Sequence, residues 1–225
     1  MLSINDPTVF GKLRQRLERH GAAATLHAFG MRAVNAVAPF KSLRGVYLEE
    51  PDPAFLQCPA GLTAGFASPE ALREYTRDPD NELSMQFVDE ARARGDECFA
   101  ICAGTTLASY GWYTTRPAPV GLPGFLLHFD PRWTYMYKGF THRNHRGQRL
   151  HAVGMAMAMR HYRDNGYHGL VSYVESTNAD SLKSCARLGY REFGSVYLLK
   201  LFGRWHTLSS PGCERFSFRI RATAS

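Results

Sequence analysis

The stretch WTYMYKGFTHRNHRGQRLHAVGMAMAMRHY, Trp133 to Tyr162, changes its period in the middle. On the first part, Trp133, Tyr135, Tyr137 and Gly139 share one face by two-residue alternation, so Trp133 to Thr141 reads as a strongly aromatic strand. The last part is apolar at helical spacing, and a helix is expected from Gly147 to Asn165, stopped at Gly166. Between them, Thr141 to His151 gathers three arginines and three histidines around Gly147. A helix entered from a strand through a glycine turn points unpaired backbone N–H groups outward, and its dipole adds partial positive charge there. Such a place accepts a phosphate without any side chain. Arg146 and Arg149 could add charge-assisted bonds. A solvated basic loop is the plainer reading; the strand before it and the long helix after it favour the phosphate site.

Outward from this stretch the elements alternate. Ser68-Pro69-Glu70 caps a helical region that runs, with a break near Asp78-Pro79, to about Arg94. Cys98 to Cys102 and Leu107 to Thr114 read as a hairpin turning at Ala103-Gly104-Thr105, with Tyr110 and Trp112 on one face. Pro51 to Pro69 and the Pro- and Gly-rich Thr115 to Gly124 read as loops. Downstream come a strand from Gly169 to Glu175, a helix from Asn178 to Leu188 ending at Gly189, a strand from Arg191 to Leu201 and a last one near Arg215 to Ile220; a short strand from Gly45 to Glu50 begins the series. Antiparallel strands followed by strand–helix–strand–helix–strand predict a mixed α/β domain, with a parallel crossover from Trp133 to Glu175.

Two motifs in this order resemble the GNAT acyltransferase superfamily. Thr141 to Leu150 is similar to its pyrophosphate loop, Gln/Arg-x-x-Gly-x-Gly/Ala, and Val174-Glu175-Ser176-Thr177-Asn178-Ala179-Asp180-Ser181 with Arg187-Leu188-Gly189-Tyr190 resembles its strand–Asn–helix–Gly-Phe segment. The resemblance covers roughly Cys98 to Leu201. It implies a mixed, mostly antiparallel central sheet with a splayed parallel strand pair flanked by helices, here with an N-terminal helical extension. It also implies acyl-CoA, most simply acetyl-CoA, as co-substrate for transfer to an amine by direct attack on the thioester. Backbone amides of Arg146, Gly147, Gln148, Arg149 and Leu150 would hold the pyrophosphate, the pantetheine arm would pair near Phe140 and Thr141, and Asn178 would bond it. A longer-chain N-acyltransferase making an acylated amino acid, and a non-catalytic acyl-CoA-binding sensor, are the alternatives. The loop departs from the pattern at Asn144 and at Arg149, where the family has a small residue. Cys185 stands where the family often has a tyrosine acid; Tyr190, Tyr173 or a water could replace it.

Transfer to an amine needs a base. Glu175, at the end of its strand, and His142, because imidazole is the side chain suited to exchange a proton near neutrality, are the candidates. An exposed strand-end carboxylate and a solvent-facing loop histidine are the plainer readings of the two. The acceptor is a small molecule or a peptide amine.

The chain of 225 residues carries a net charge of +7 and five cysteines with no CxxC spacing, so no disulfide framework and no metal site are expected, and reduced thiols suit the cytoplasm. MLSINDPTVF has no basic segment followed by an apolar core, so no secretory signal is expected. Between Met1 and Arg44 seven Lys and Arg residues face two acidic ones. Asp6-Pro7 opens a helix there, and Phe10, Leu13, Leu17, Ala24, Met31 and Val34 recur mainly at helical spacing, with possible breaks at Gly21 and Gly30. Residues 1–44 read as a basic amphipathic extension packed on a domain formed by 45–225, with peripheral contact to an anionic membrane as the sharper reading. Without a basic stripe interleaved with aromatics, nucleic acid is not an expected partner.

Overall fold

The computed structural model describes residues 7–223. Asp6 and the side chains of Phe10 and Leu13, expected to start the N-terminal helix and its apolar face, lie outside the described residues.

Helix α1, Pro7–Val37, is bent at Gly21, whose φ of 82° and ψ of 170° are not helical. Strand β1, Phe40–Leu48, follows. Next come β2 (Thr63–Phe66), α2 (Pro69–Tyr75), α3 (Met85–Arg94), β3 (Glu97–Ala103) and β4 (Thr106–Thr114). Two short strands, β5 (Ala118–Pro119) and β6 (Phe125–His128), precede β7 (Thr134–Thr141), α4 (Leu150–Asp164), β8 (Leu170–Glu175) and α5 (Ala179–Arg187). The chain ends with β9 (Arg191–Leu201), β10 (Arg204–Ser209) and β11 (Arg219–Ala222). Ser68 and Ser84 cap α2 and α3 by accepting the amides of Ala71 and Phe87, which satisfies donors a helix start otherwise leaves open.

Eight strands form one sheet in the order β10-β9-β1-β8-β7-β4-β3-β2, and β11-β6-β5 form a second, small one. In the large sheet only β7 and β8 run parallel. The expected architecture, a mostly antiparallel sheet with a parallel pair, flanking helices and an N-terminal helix, is therefore present.

One core lies between the sheet and α4, with Met155, Met159 and Tyr162 packed on Val46, Phe99 and Leu170. On the opposite face the small sheet covers Leu43, Tyr135 and Val171 through Leu127 and Ile220, while α2 and α3 cover Tyr110 and Trp112. Each large side chain so buried contributes about 1.5–3 kcal/mol.

Four local readings change. The first strand starts at Phe40, five residues earlier than expected, and sits in the middle of the sheet between β8 and β9. The segments read as loops hold β2, β5 and part of the small sheet, too short to show a period. A hairpin partner for β9, β10, was missed; it is an edge strand with one polar face. The last strand falls at Arg219–Ala222 because Pro211–Phe216 forms a 3-10 helix.

Candidate active site

Strands β7 and β8 pair at only two positions, Thr134 with Leu170 and Tyr135 with Val171. Beyond them the ladder stops. The Ser172 hydroxyl bridges to the Met136 carbonyl at 2.8 Å, and from there the strands diverge. The divergence has a local cause in β7. Against β4, Tyr110 pairs with Phe140 and Trp112 with Tyr137, so Lys138 and Gly139 together face one residue, Gly111. This bulge puts Lys138 at φ 45°, a left-handed conformation uncommon outside glycine, and bends the strand edge away from β8.

The gap is a slot of about 420 Å³. Tyr135, Tyr137 and Tyr173 line it from one face of the sheet, where Tyr135 stacks on both others, with centroids 5.6 and 6.1 Å apart. Met155, Cys185, Tyr190 and His151 line it from the helical face. The slot therefore passes through the sheet, giving two reactants separate approaches.

The loop that precedes α4 has the form expected of an anion site. Gly147 has φ 83° with open space where a Cβ would be. Arg149 also takes the left-handed conformation, φ 58°, at the position where the family pattern has a small residue, and it offers α4 no side-chain cap. The helix's first amide bond is Val153 to the Arg149 carbonyl, so the amides of the preceding turn remain open to an anion. The helix begins at Leu150, three residues later than the sequence reading placed it.

The residues proposed from sequence fall into three groups. Phe140, Thr141, Cys185 and Tyr190 meet in the slot. Arg146, Gly147, Gln148, Arg149 and Leu150 form the loop and helix start beside it; Arg146 Nε donates to the Thr141 carbonyl at 3.3 Å, and Ser109 Oγ donates to the Phe140 carbonyl at 2.7 Å. Glu175 and Asn178 lie elsewhere, in a second cleft of about 610 Å³ between α1 and the ends of β1 and β8. There Glu175 pairs with Lys41 at 3.3 Å, both side chains about half exposed, and Asn178 caps α5 by accepting the Ser181 amide at 3.1 Å. His142 is buried outside the slot, and its Nδ1 accepts the Asn144 amide at 3.3 Å, so its ring closes the loop turn.

The thiol and the phenol in the slot are weak acids here. Burial pushes Cys185 up from its ordinary value and raises Tyr190 well above its own. Tyr190 donates its hydroxyl to Met155 Sδ at 3.1 Å.

His151 was missed. It is the second residue of α4, one turn before Met155 on the same helix face, and its ring lies over the bulge: a Cβ on Gly139 would stand 2.4 Å from its Cε1. Burial lowers its pKa, so the imidazole is neutral at neutral pH. The signal was present in the spacing of His151 and Met155, which places both on the strand-facing side of the helix. Among the described residues no cluster of His, Cys, Asp or Glu could hold a metal ion.

A central sheet opened between one parallel pair, a bulge at the opening, and an uncapped helix start after a basic glycine turn define the architecture. This is the architecture that the resemblance of the two sequence motifs implies. Solved structures to which the chain is similar include a GCN5-related N-acetyltransferase-like protein from Streptococcus suis 89/1591 (14% identity, 78% of this chain and 67% of that one, TM-score 0.48). Others are a GCN5-related N-acetyltransferase from Sphaerobacter thermophilus (13% identity, 80% and 56%, TM-score 0.48) and a tandem GNAT protein from the clavulanic acid biosynthesis pathway (16% identity, 79% and 57%, TM-score 0.47). The chain spans between about half and two thirds of the length of these structures. No protein-family model and no curated protein matches it.

Proposed function

We propose that the protein transfers an acyl group, most simply acetyl, from acyl-CoA to an amine in the slot between β7 and β8. The observation that carries this is the coincidence of three features at one place: a through-sheet slot, an anion-accepting helix start beside it, and a neutral imidazole over the bulge. The open amides and Arg146 suit the pyrophosphate of CoA. The slot, about 420 Å³ and mainly apolar, suits a pantetheine arm with a short acyl group.

Bond making is between the neutral amine nitrogen and the thioester carbonyl carbon; bond breaking is between that carbon and sulfur. One proton must leave nitrogen and one must reach the thiolate, so a single group able to accept and return a proton balances the reaction. His151 has that chemistry and faces the slot. Among the described residues it has no hydrogen-bond partner to hold it in one protonation state. Glu175 is ion-paired in the other cleft, and Cys185 and Tyr190 are held protonated by burial.

The test is steady-state release of free CoA from acetyl-CoA with a panel of amines, alongside calorimetric binding of acetyl-CoA. Release that requires an amine supports transfer. Tight binding with no release for any amine leaves a binding module, and no binding at all removes the reading. The mass of any acyl-CoA that co-purifies tells acetyl from a longer chain.

A further inference from the structure

One flank of α1 and one wing of the sheet have no cover among the described residues, and they meet. The other flank of α1 is docked: Thr25 and Ala28 are buried, His27 Nε2 lies 3.0 Å from Ser176 Oγ, and Lys183 Nζ donates to the Arg19 carbonyl at 2.6 Å. This fixes which side faces out, and that side carries Leu26, Phe29 and Val37, the first and last at 75% and 91% exposure. Where α1 ends, the Lys200 amide donates to the Pro39 carbonyl at 2.9 Å, so the tip of the β9–β10 hairpin stands beside Val37. On the same sheet face Ser42, Tyr197 and Leu208 stand in register across β1, β9 and β10, and Leu208 is exposed.

The hairpin tip is the most telling part. Arg204 pairs with Leu201, so the loop is the two residues Phe202-Gly203, with φ of 48° and 77°. Such a loop favours Asn or Gly at its first position. A phenylalanine there pays a conformational cost and buries nothing, since Phe202 is fully exposed. Neither cost serves the folded chain.

Of the cations nearby, Arg19, Lys41 and Arg44 are paired with Asp180, Glu175 and Glu192. Arg32, Lys200 and Arg204 have no ion-pair partner among the described residues, and neither Arg19 to Leu48 nor Phe193 to Cys213 contains an Asp or Glu. We infer that this face, Leu26 to Val37 of α1 with the Phe202 tip, docks on an anionic lipid surface. Protruding apolar side chains with the unpaired cations Arg32, Lys200 and Arg204 nearby fit an interface of acyl chains beneath phosphates. A second copy meeting the same face would bring like charges together, and the tip is a projection rather than a pocket. No described helix is long and apolar enough to cross a membrane, so the contact is peripheral. The inference does not depend on the acyltransfer reading.

The experiment is sedimentation of the full chain with vesicles of phosphatidylcholine, with and without phosphatidylglycerol, over a salt series. Binding should need the anionic lipid and fall as salt rises. Phe202→Asp and Leu26→Asp should each weaken it at least tenfold, about 1.4 kcal/mol, with unchanged melting temperature, because neither side chain is buried and aspartate tolerates the left-handed backbone at 202. Lys200→Glu with Arg204→Glu should remove most of the salt dependence. Equal sedimentation with both vesicle types, or none, overturns the inference. So does a dimer in solution that Phe202→Asp splits while vesicle binding stays the same; the occupant is then a second copy.

Discussion

Strand β8 has two edges with opposite fates. Against β1 it is zipped over six consecutive pairs, Leu43 with Glu175 through Leu48 with Leu170. Against β7 it holds two pairs and then opens. Both edges belong to the same six residues, so the propensity of β8 explains neither. The difference lies in the partners. β1 is regular over that span, whereas β7 carries the Lys138-Gly139 bulge, and a bulge removes the spacing that a ladder needs. The closed edge holds the sheet together and the open edge leaves the slot.

The comparison breaks hardest at the point where both edges begin. Gly169, at φ 151°, lies against β1: a Cβ there would stand 2.2 Å from the Leu48 carbonyl oxygen and 3.1 Å from Glu49 Cα. Backbone cannot move aside as a side-chain end can, so Gly169→Ala should cost about 3 kcal/mol or more, seen as a lower denaturation midpoint. A midpoint shift worth under about 1 kcal/mol would show that the closed edge is not rigid.

On the open edge, His151→Gln should lower kcat for amine-dependent CoA release by a hundredfold or more, in the range of a lost proton-transfer group, with little change in acetyl-CoA affinity. Burial depresses the His151 pKa, so the neutral form, the one the proposed proton transfer needs, persists down through the ordinary histidine value of about 6.5. Activity should be flat above that pH and fall on the acid side, and the glutamine variant should lose this limb. The same shift has a stability sign. Below about pH 6.5 the unfolded chain binds more protons at this site than the folded one, so stability should decline as pH falls toward the folded pKa, and less so in the variant. An unaltered pH profile would assign the proton to another group.

A smaller effect sharpens the reading of the loop. Gly147→Val places a β-branched residue at φ 83°, and should weaken acetyl-CoA binding about tenfold, ~1.4 kcal/mol, without loss of fold. Smaller again, Cys185→Ala should keep activity within about tenfold, since burial holds the thiol protonated; a hundredfold loss with intact binding would make the thiol the acid. Least of all, Glu175→Gln on the closed edge should change stability by less than about 1 kcal/mol, its ion pair with Lys41 being half exposed, and should leave CoA release near the wild-type rate. A large loss of rate there would move the base out of the slot.

The comparison also shows what sequence reasoning reached. The strand–loop–helix of Trp133 to Asp164 was legible because each part has a strong period or a glycine signal. Phe140, Thr141, Cys185 and Tyr190 were singled out through the family resemblance, and all four line the slot. Glu175 was expected at the slot from its place at the strand end and Asn178 from the family resemblance, but the direction of the end of β8 takes them into the cleft under α1. His151 escaped because it reads as one more basic side chain in a basic loop; only the fold sets its ring against Gly139 and into the slot.

By itself the sequence determined the long periodic strands and helices, the glycine turn before α4 and the helical, basic N-terminal segment, because these depend on local periods, caps and charges within a few residues. Tertiary structure alone decided that β1 lies between β8 and β9, that β7 bulges where it must part from β8, and that one flank of α1 stays bare. Those outcomes depend on pairings between distant parts of the chain, such as Leu43 with Glu175, Pro39 with Lys200 and, at shorter range, Trp112 with Tyr137. No window along the chain contains both partners, so the free energy that selects such pairings is expressed only once the chain has closed on itself.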